Sequence, residues 1–182
     1  MIFFRLCVYS LMWVFFGPHL YAATVVDDKS LTAIGDGSNW LGFGRNYSEQ
    51  RYSPLDQINT KTVSDLGIEW VMELPKDKSL LATPLVVDGV IYFTASYSVT
   101  RAVEAKSGKL LWEFDPESIK NAGDRLVNMW DQNKGPAFWN GKVIISTIDG
   151  RLIGLDAKTG EKIWEKMTID PRKAYYITGA PK

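Results

Sequence analysis

The sequence predicts an all-β fold built of β-propeller blades, about two complete four-stranded units, and three observations carry that expectation. First, landmarks recur at a period of 52 residues: Ala102-x-Glu104-x-x-x-Gly108-x-x-x-Trp112 returns as Gly154-x-Asp156-x-x-x-Gly160-x-x-x-Trp164, and Pro84 to Gly89 returns as Pro136 to Gly141. Second, each copy holds four short runs rich in β-branched and aromatic residues. Third, each copy places Asp-Gly or Asn-Gly between its first two runs, the pairs that tolerate the positive φ angles of a two-residue hairpin. Antiparallel four-stranded units with recurring Gly and Trp are the pattern of a propeller.

In chain order, the first element is a leader. Arg5 supplies a positive charge, Leu6 to Phe16 is an uncharged run of 11 residues, Gly17-Pro18 breaks it, and Tyr21-Ala22-Ala23 offers small residues for cleavage. The run is too short for a membrane span, which needs about 20 apolar residues, and Cys7 lies ahead of it, not after it as in a lipoprotein. Residues 1–23 are therefore expected to be a signal peptide, the chain to be exported to the periplasm of a Gram-negative host, and no stable membrane anchor to remain. Next comes an outer strand near Trp70. The repeat units follow at about 80–115 and 132–166, and a third opens near 177. In the first unit the strands are expected at Pro84 to Val87, Val90 to Thr94, Arg101 to Glu104 and Leu110 to Phe114. The stretch from Pro116 to Lys134 is the longest between units, where a propeller keeps binding groups.

The recurring Trp residues read as packing between blades, since an indole in the same place of each unit buries a large area and needs one partner for its N–H. Glu104 and Asp156, each four residues before the turn glycine, read as acceptors for backbone N–H groups of that turn, not as catalytic carboxylates.

Composition narrows the chemistry. Lys and Arg number 21 against 21 Asp and Glu, without a basic block, so nothing points to nucleic acid. Removing residues 1–23 from the 182 leaves 159 that contain neither the single Cys nor the single His. That excludes disulfides, thiolate nucleophiles, His bases, Cys/His zinc sites and covalent haem attachment within this stretch. Carboxylates, Lys, Tyr or a bound organic cofactor remain.

At this point the repeat resembles a known family. Ala-x-Asp-x-x-Thr-Gly-x-x-x-Trp, as at residues 154–164 with Gly154 in the first place, resembles the tryptophan-docking motif of the quinoprotein alcohol dehydrogenases, eight-bladed propellers that use pyrroloquinoline quinone (PQQ). The stretch from Trp40 through Arg51-Tyr52-Ser53-Pro54 to Asn59 is similar to the region near their mature N-terminus, Ala82-Thr83-Pro84 to their first full blade, and Ile177 to Pro181 to the opening of the next. The resemblance implies that residues 24–182 are the N-terminal part of a PQQ-type propeller domain. It further implies a periplasmic dehydrogenase that oxidises an alcohol by hydride transfer to calcium-bound PQQ and passes electrons to cytochrome c.

Residue by residue, Thr178, Gly179 and Ala180 match cofactor-contacting positions, and Lys134 stands where the family has Arg. Lys keeps the charge but not the bidentate fork. Leu81 replaces a Glu that hydrogen-bonds the quinone, and Asn128 and Met129 stand where a vicinal Cys pair closes over it. No catalytic or metal-ligating residue of the family finds a match: the base and the ligands for calcium, or a lanthanide, would follow Lys182. Eight units of 52 need 416 residues, so the chain is expected to be a truncated piece, inactive alone. Two other readings stay open, a non-enzymatic propeller scaffold of the outer-membrane assembly type and a degenerate paralogue without cofactor.

Overall fold

The computed structural model describes residues 23–126 and 130–182. The leader up to Ala22 and the pair Asn128 and Met129 lie outside the described residues. Two four-stranded antiparallel sheets follow one another along the chain, each a simple meander. The first holds β1 (Leu85–Val87), β2 (Val90–Thr94), β3 (Thr100–Glu104) and β4 (Leu110–Phe114), and the second β5 (Ala137–Trp139), β6 (Lys142–Ser146), β7 (Arg151–Asp156) and β8 (Lys162–Met167). These are the two blades that the repeat predicts. Two one-turn helices accompany them, α1 (Asp28–Thr32), capped by the Asp27 side chain, and α2 (Ser118–Ala122) in the long stretch between the sheets. Among the described residues no helix is long and apolar enough to cross a membrane.

The repeat reaches into fine detail. Both opening hairpins place two residues at positive φ, Asp88 and Gly89 at 50° and 75° and Asn140 and Gly141 at 43° and 71°, as the tight primed turn demands. Each sheet also carries one register shift at the same place, between Ala102 and Val103 and between Gly154 and Leu155.

The core lies between the sheets. Tyr92, Ala102 and Trp112 of the first face Phe138, Val143, Ile145 and Leu155 of the second. Tyr92 is 5.4 Å from Phe138 and 6.0 Å from Trp112, ring centre to ring centre, and both pairs are tilted. The indole N–H of Trp112 and the hydroxyl of Tyr92 both donate to the carbonyl of Ala157, at 3.0 and 3.2 Å. Burial, then the carboxylates of Asp88 and Asp156, push the Tyr92 hydroxyl up to about 12, so it stays a neutral donor. Trp112 also lies against Gly160, where an added Cβ would meet the ring at 2.6 Å and where φ is 73°. Glycine is required there on both counts.

Trp70 repeats the arrangement one unit earlier: its N–H donates to Ala105 at 3.0 Å and its ring covers Gly108. The expected outer strand at Trp70 is not formed, because residues 66–74 have no ladder partner among the described residues. Side-chain docking, not sheet pairing, places this indole. Asp156 accepts from the backbone N–H groups of Lys158 and Thr159, as expected. Those two bonds are the main reason its carboxyl lies below the usual range. Glu104 departs from that reading and accepts the Ser107 hydroxyl instead.

The segment before the blades crosses both of them. Trp40 exchanges two backbone hydrogen bonds with Val86 on the edge strand β1, while Val26 and Leu31 enter the core.

Candidate functional site

The segments that lead into the two sheets and the segment around Thr178 meet at one end of the sheets. The N–H of Thr83 donates to the carbonyl of Lys134, and the N–H of Lys134 to the carbonyl of Thr178, both at 2.9 Å. A chain of two hydrogen bonds thus joins the entrances of the first and second sheets to the segment at Thr178, where a third unit is expected to open. Gly135 permits the approach: its φ is 130°, and a Cβ there would stand 2.7 Å from the Thr83 oxygen.

Of the sequence-predicted contacts, Lys134 and Gly179 are exposed while Thr178 and Ala180 are half-buried. The carbonyl of Gly179 accepts the Ser146 hydroxyl from the end of β6. Around the Gly179 Cα there is open space, with nothing within 4 Å of a built Cβ. Lys134 forms no ion pair among the described residues. Leu81, expected from the resemblance to stand where the family has Glu, is 53% exposed and has no side-chain acceptor. Trp130 is 71% exposed.

Two residues join this group that were not assigned to it from sequence. Arg51 donates to the Thr83 hydroxyl at 3.2 Å and stands 4.5 Å over the ring of Phe43, with Lys182 over the same ring at 5.6 Å. Asn133 is 2% exposed and fully engaged. Its Oδ1 accepts from Thr94 Oγ1 at 2.8 Å and Gly135 N at 2.9 Å, and its Nδ2 donates to Ser98 Oγ at 3.0 Å and the Ser146 carbonyl at 2.7 Å. This one amide binds both blades and fixes the Lys134-Gly135 peptide. The Asn-x-Gly spacing, in which the side chain accepts from the N–H two residues on, is the sequence signal that reveals it. Beside Ala180, Pro181 and Lys182 wall a cavity of about 490 Å³ that Leu41, Phe43, Ile144 and Leu152 also line.

Residues 40–166, more than half of the chain, match the family described as PQQ, glucose/ethanol/alcohol dehydrogenase, beta-propeller domain. The chain belongs to this PQQ propeller family. Similar members include quinohemoprotein alcohol dehydrogenase ADH IIB of Pseudomonas putida, 48% identical over 91% of this chain and 24% of the relative. Another is 1-butanol dehydrogenase (cytochrome c) of Thauera butanivorans, 43% identical over 84% and 22%. The solved structure of quinohemoprotein alcohol dehydrogenase ADHIIG from Pseudomonas putida HK5 superposes with a TM-score of 0.82 at 42% identity, over 87% of this chain and 23% of that one. The chain therefore spans about a quarter of the length of these PQQ propeller proteins.

Proposed function

We propose that these residues form one part of the cofactor cradle of an exported, PQQ-dependent alcohol dehydrogenase. Family membership supports the cofactor, and the hydrogen-bonded junction of Thr83, Lys134 and Thr178 is the observation that carries the site. PQQ bears three carboxylates, and the donor set at this rim suits such an anion: the Lys134 ammonium, the Arg51 guanidinium and the Thr178 hydroxyl, with open space at Gly179 for close approach. When bound, PQQ supplies the two-electron acceptor for the alcohol. The part of this chain is to bind and orient: Lys134 offers a charge, Thr178 a hydroxyl, and Asn133 holds the peptide that carries Lys134.

Among the described residues no group of three or more His, Cys, Asp or Glu side chains gathers to hold a metal. In this reading a calcium or lanthanide ion takes its ligands from other parts of a longer protein, as does the catalytic base. An alcohol substrate, delivery of electrons to cytochrome c and periplasmic export complete it. The names of the relatives support the first two, and the charged, apolar and small-residue order of residues 1–23 supports the third.

The reading is tested at the level of the cradle. Titration of the 182-residue chain with PQQ and calcium, followed by absorbance and dye reduction, is expected to show no saturable micromolar binding and no turnover, because only some of the contacts are present. In a protein of the relatives' full length, Lys134→Ala is expected to weaken PQQ binding about 10-fold or more, the size of one charge-assisted contact. Unchanged affinity in that variant would remove Lys134 from the site.

A further inference from the structure

We propose that Asp88 is the docking site for the α-ammonium group of Thr24, which is created when the leader is cut between Ala23 and Thr24. The proposal rests on the export reading given above, and adds to it a cleavage position and a built receptor for the new chain end. Thr24 engages both oxygens of one carboxylate: its backbone nitrogen lies 2.7 Å from Asp88 Oδ2, and its hydroxyl donates to Oδ1. The carboxylate is aimed by its turn. Asp88 has a φ of 50° and its own N–H donates to Asn39 Oδ1 at 2.9 Å.

Two residues on, the carbonyl of the fully buried Val26 accepts from the N–H of Asn140 at 2.9 Å. Asp88 and Asn140 are the same position of the 52-residue repeat. Residues 24–26 thus tie together equivalent turns of the two blades, and the two turns differ in a meaningful way. The one that meets the expected chain end carries a carboxylate; the one that meets the continuing backbone carries a neutral amide.

The charged groups facing this groove are Asp36, Asp88 and Asp156 against Lys142 and Lys158, with the neutral Tyr92 hydroxyl between the blades. Three carboxylates face two ammonium groups, and the Thr24 ammonium supplies the third. Cleavage is a hydrolysis in which water adds across the Ala23–Thr24 amide. The C–N bond breaks, the hydroxyl goes to the Ala23 carbonyl to leave a carboxylate, and the Thr24 nitrogen takes up protons to become ammonium. A neutral N–H donor becomes a charged one, and its bond to Asp88 becomes charge-assisted. Export processing therefore tightens the clasp that joins the blades.

The sign of the pH effect follows. A free α-amino group titrates near 7.7–8.0, and pairing with Asp88 raises it. The stabilisation is complete below the unfolded value and is lost as pH rises through the folded one.

The test uses the chain exported from its own gene and purified from the periplasm. N-terminal sequencing is expected to start at Thr24; another start would overturn the cleavage position alone, and an intact leader would overturn the export reading with it. The pairing is read separately, on chain made to begin at Thr24 by removal of a tag. Carbon-13 methylation of the α-amine followed by NMR titration is expected to place its pKa about half a pH unit above the free value, the size an exposed ion pair gives. Asp88→Asn should return it to the free value. That variant keeps the turn, since Asn holds the equivalent place at Asn140. A Gly inserted before Thr24 keeps Asp88 but displaces the charge, and should do the same. Identical titration in all three chains would overturn the docking site.

Discussion

Trp112 and Trp164 hold the same place in consecutive blades and have different surroundings. Trp112 is 8% exposed, covered by the second sheet, bonded to Ala157 and seated on Gly160. Trp164 is half-buried and lies over Gly154 of its own sheet. Both sheets are nevertheless complete, with matching register and matching shifts. The indole is thus a contact between units and not a requirement for pairing within one. The buried arginines teach the complementary lesson. Arg101 and Arg151 both reach the Glu of the last strand of their sheet, Glu113 at 2.6 Å and Glu165 at 3.2 Å. For a second carboxylate, Arg101 takes Asp77 from the preceding segment, whereas Arg151 takes Asp149 from the β6–β7 turn. The repeat fixes how blades dock, while each blade neutralises its buried cation separately.

The largest effect expected from breaking this comparison is at Arg151. Arg151→Met leaves Asp149, which is 0% exposed, without its cation and should destabilise the protein by about 3–5 kcal/mol in urea unfolding. Arg101→Met should cost less, about 1–3 kcal/mol, because the Asp77 side chain keeps slight solvent access, 4% against 0% for Asp149, and retains the Ser96 N–H. Replacing Asp149 with Leu alongside Arg151→Met should recover most of the loss. Next in size is the docking itself: Trp112→Phe removes the bond to Ala157 and some buried area, about 1.5 kcal/mol, while Trp164→Phe should stay below about 0.5 kcal/mol. Equal effects of the two would show that the indole acts within its own sheet. The smallest concerns pH. Because the backbone donors of Thr159 and Lys158 lower the Asp156 carboxyl, its contribution is present above the ordinary value of 3.8 and is lost as pH falls through the lower folded value. Asp156→Asn should flatten the acid limb of a stability profile below about pH 4 and leave neutral pH behaviour of the other blade unchanged.

Much of the architecture was legible because a repeat states each constraint twice. The Asp-Gly and Asn-Gly turns, the Gly that admits an indole and the Trp that fills it each demand one residue type, so their spacing shows in the letters. The outer strand expected near Trp70 is not formed, since its pairing partner is not among the described residues. Val26 and Leu31 gave no signal: their neighbours Val25 and Ile34 are equally apolar yet exposed, and only the folded chain shows which of them enter the core. At the candidate site, Thr178, Gly179, Ala180 and Lys134 are proposed from resemblance, and the structure adds how Thr83, Lys134 and Thr178 share backbone bonds. For Asn133 only the local bond to the Gly135 N–H is legible, in the Asn-x-Gly spacing; its bonds to Thr94, Ser98 and Ser146 join residues 13 to 39 positions apart and leave no pattern in the letters.

The seating of an indole on the following unit's glycine has a consequence for assembly. Each unit offers a wedge on one side and a socket on the other, and the two surfaces differ, so the contact is heterologous and never pairs a blade face with its own copy. Units joined in this way can be copied in tandem within a gene, because every duplicate arrives with both halves of the joint. Such an array stops growing only when the angle between units lets the last wedge meet the first socket. Until then, a free socket has the shape to take a wedge from a second molecule, against the advantage in effective concentration of one tethered in its own chain.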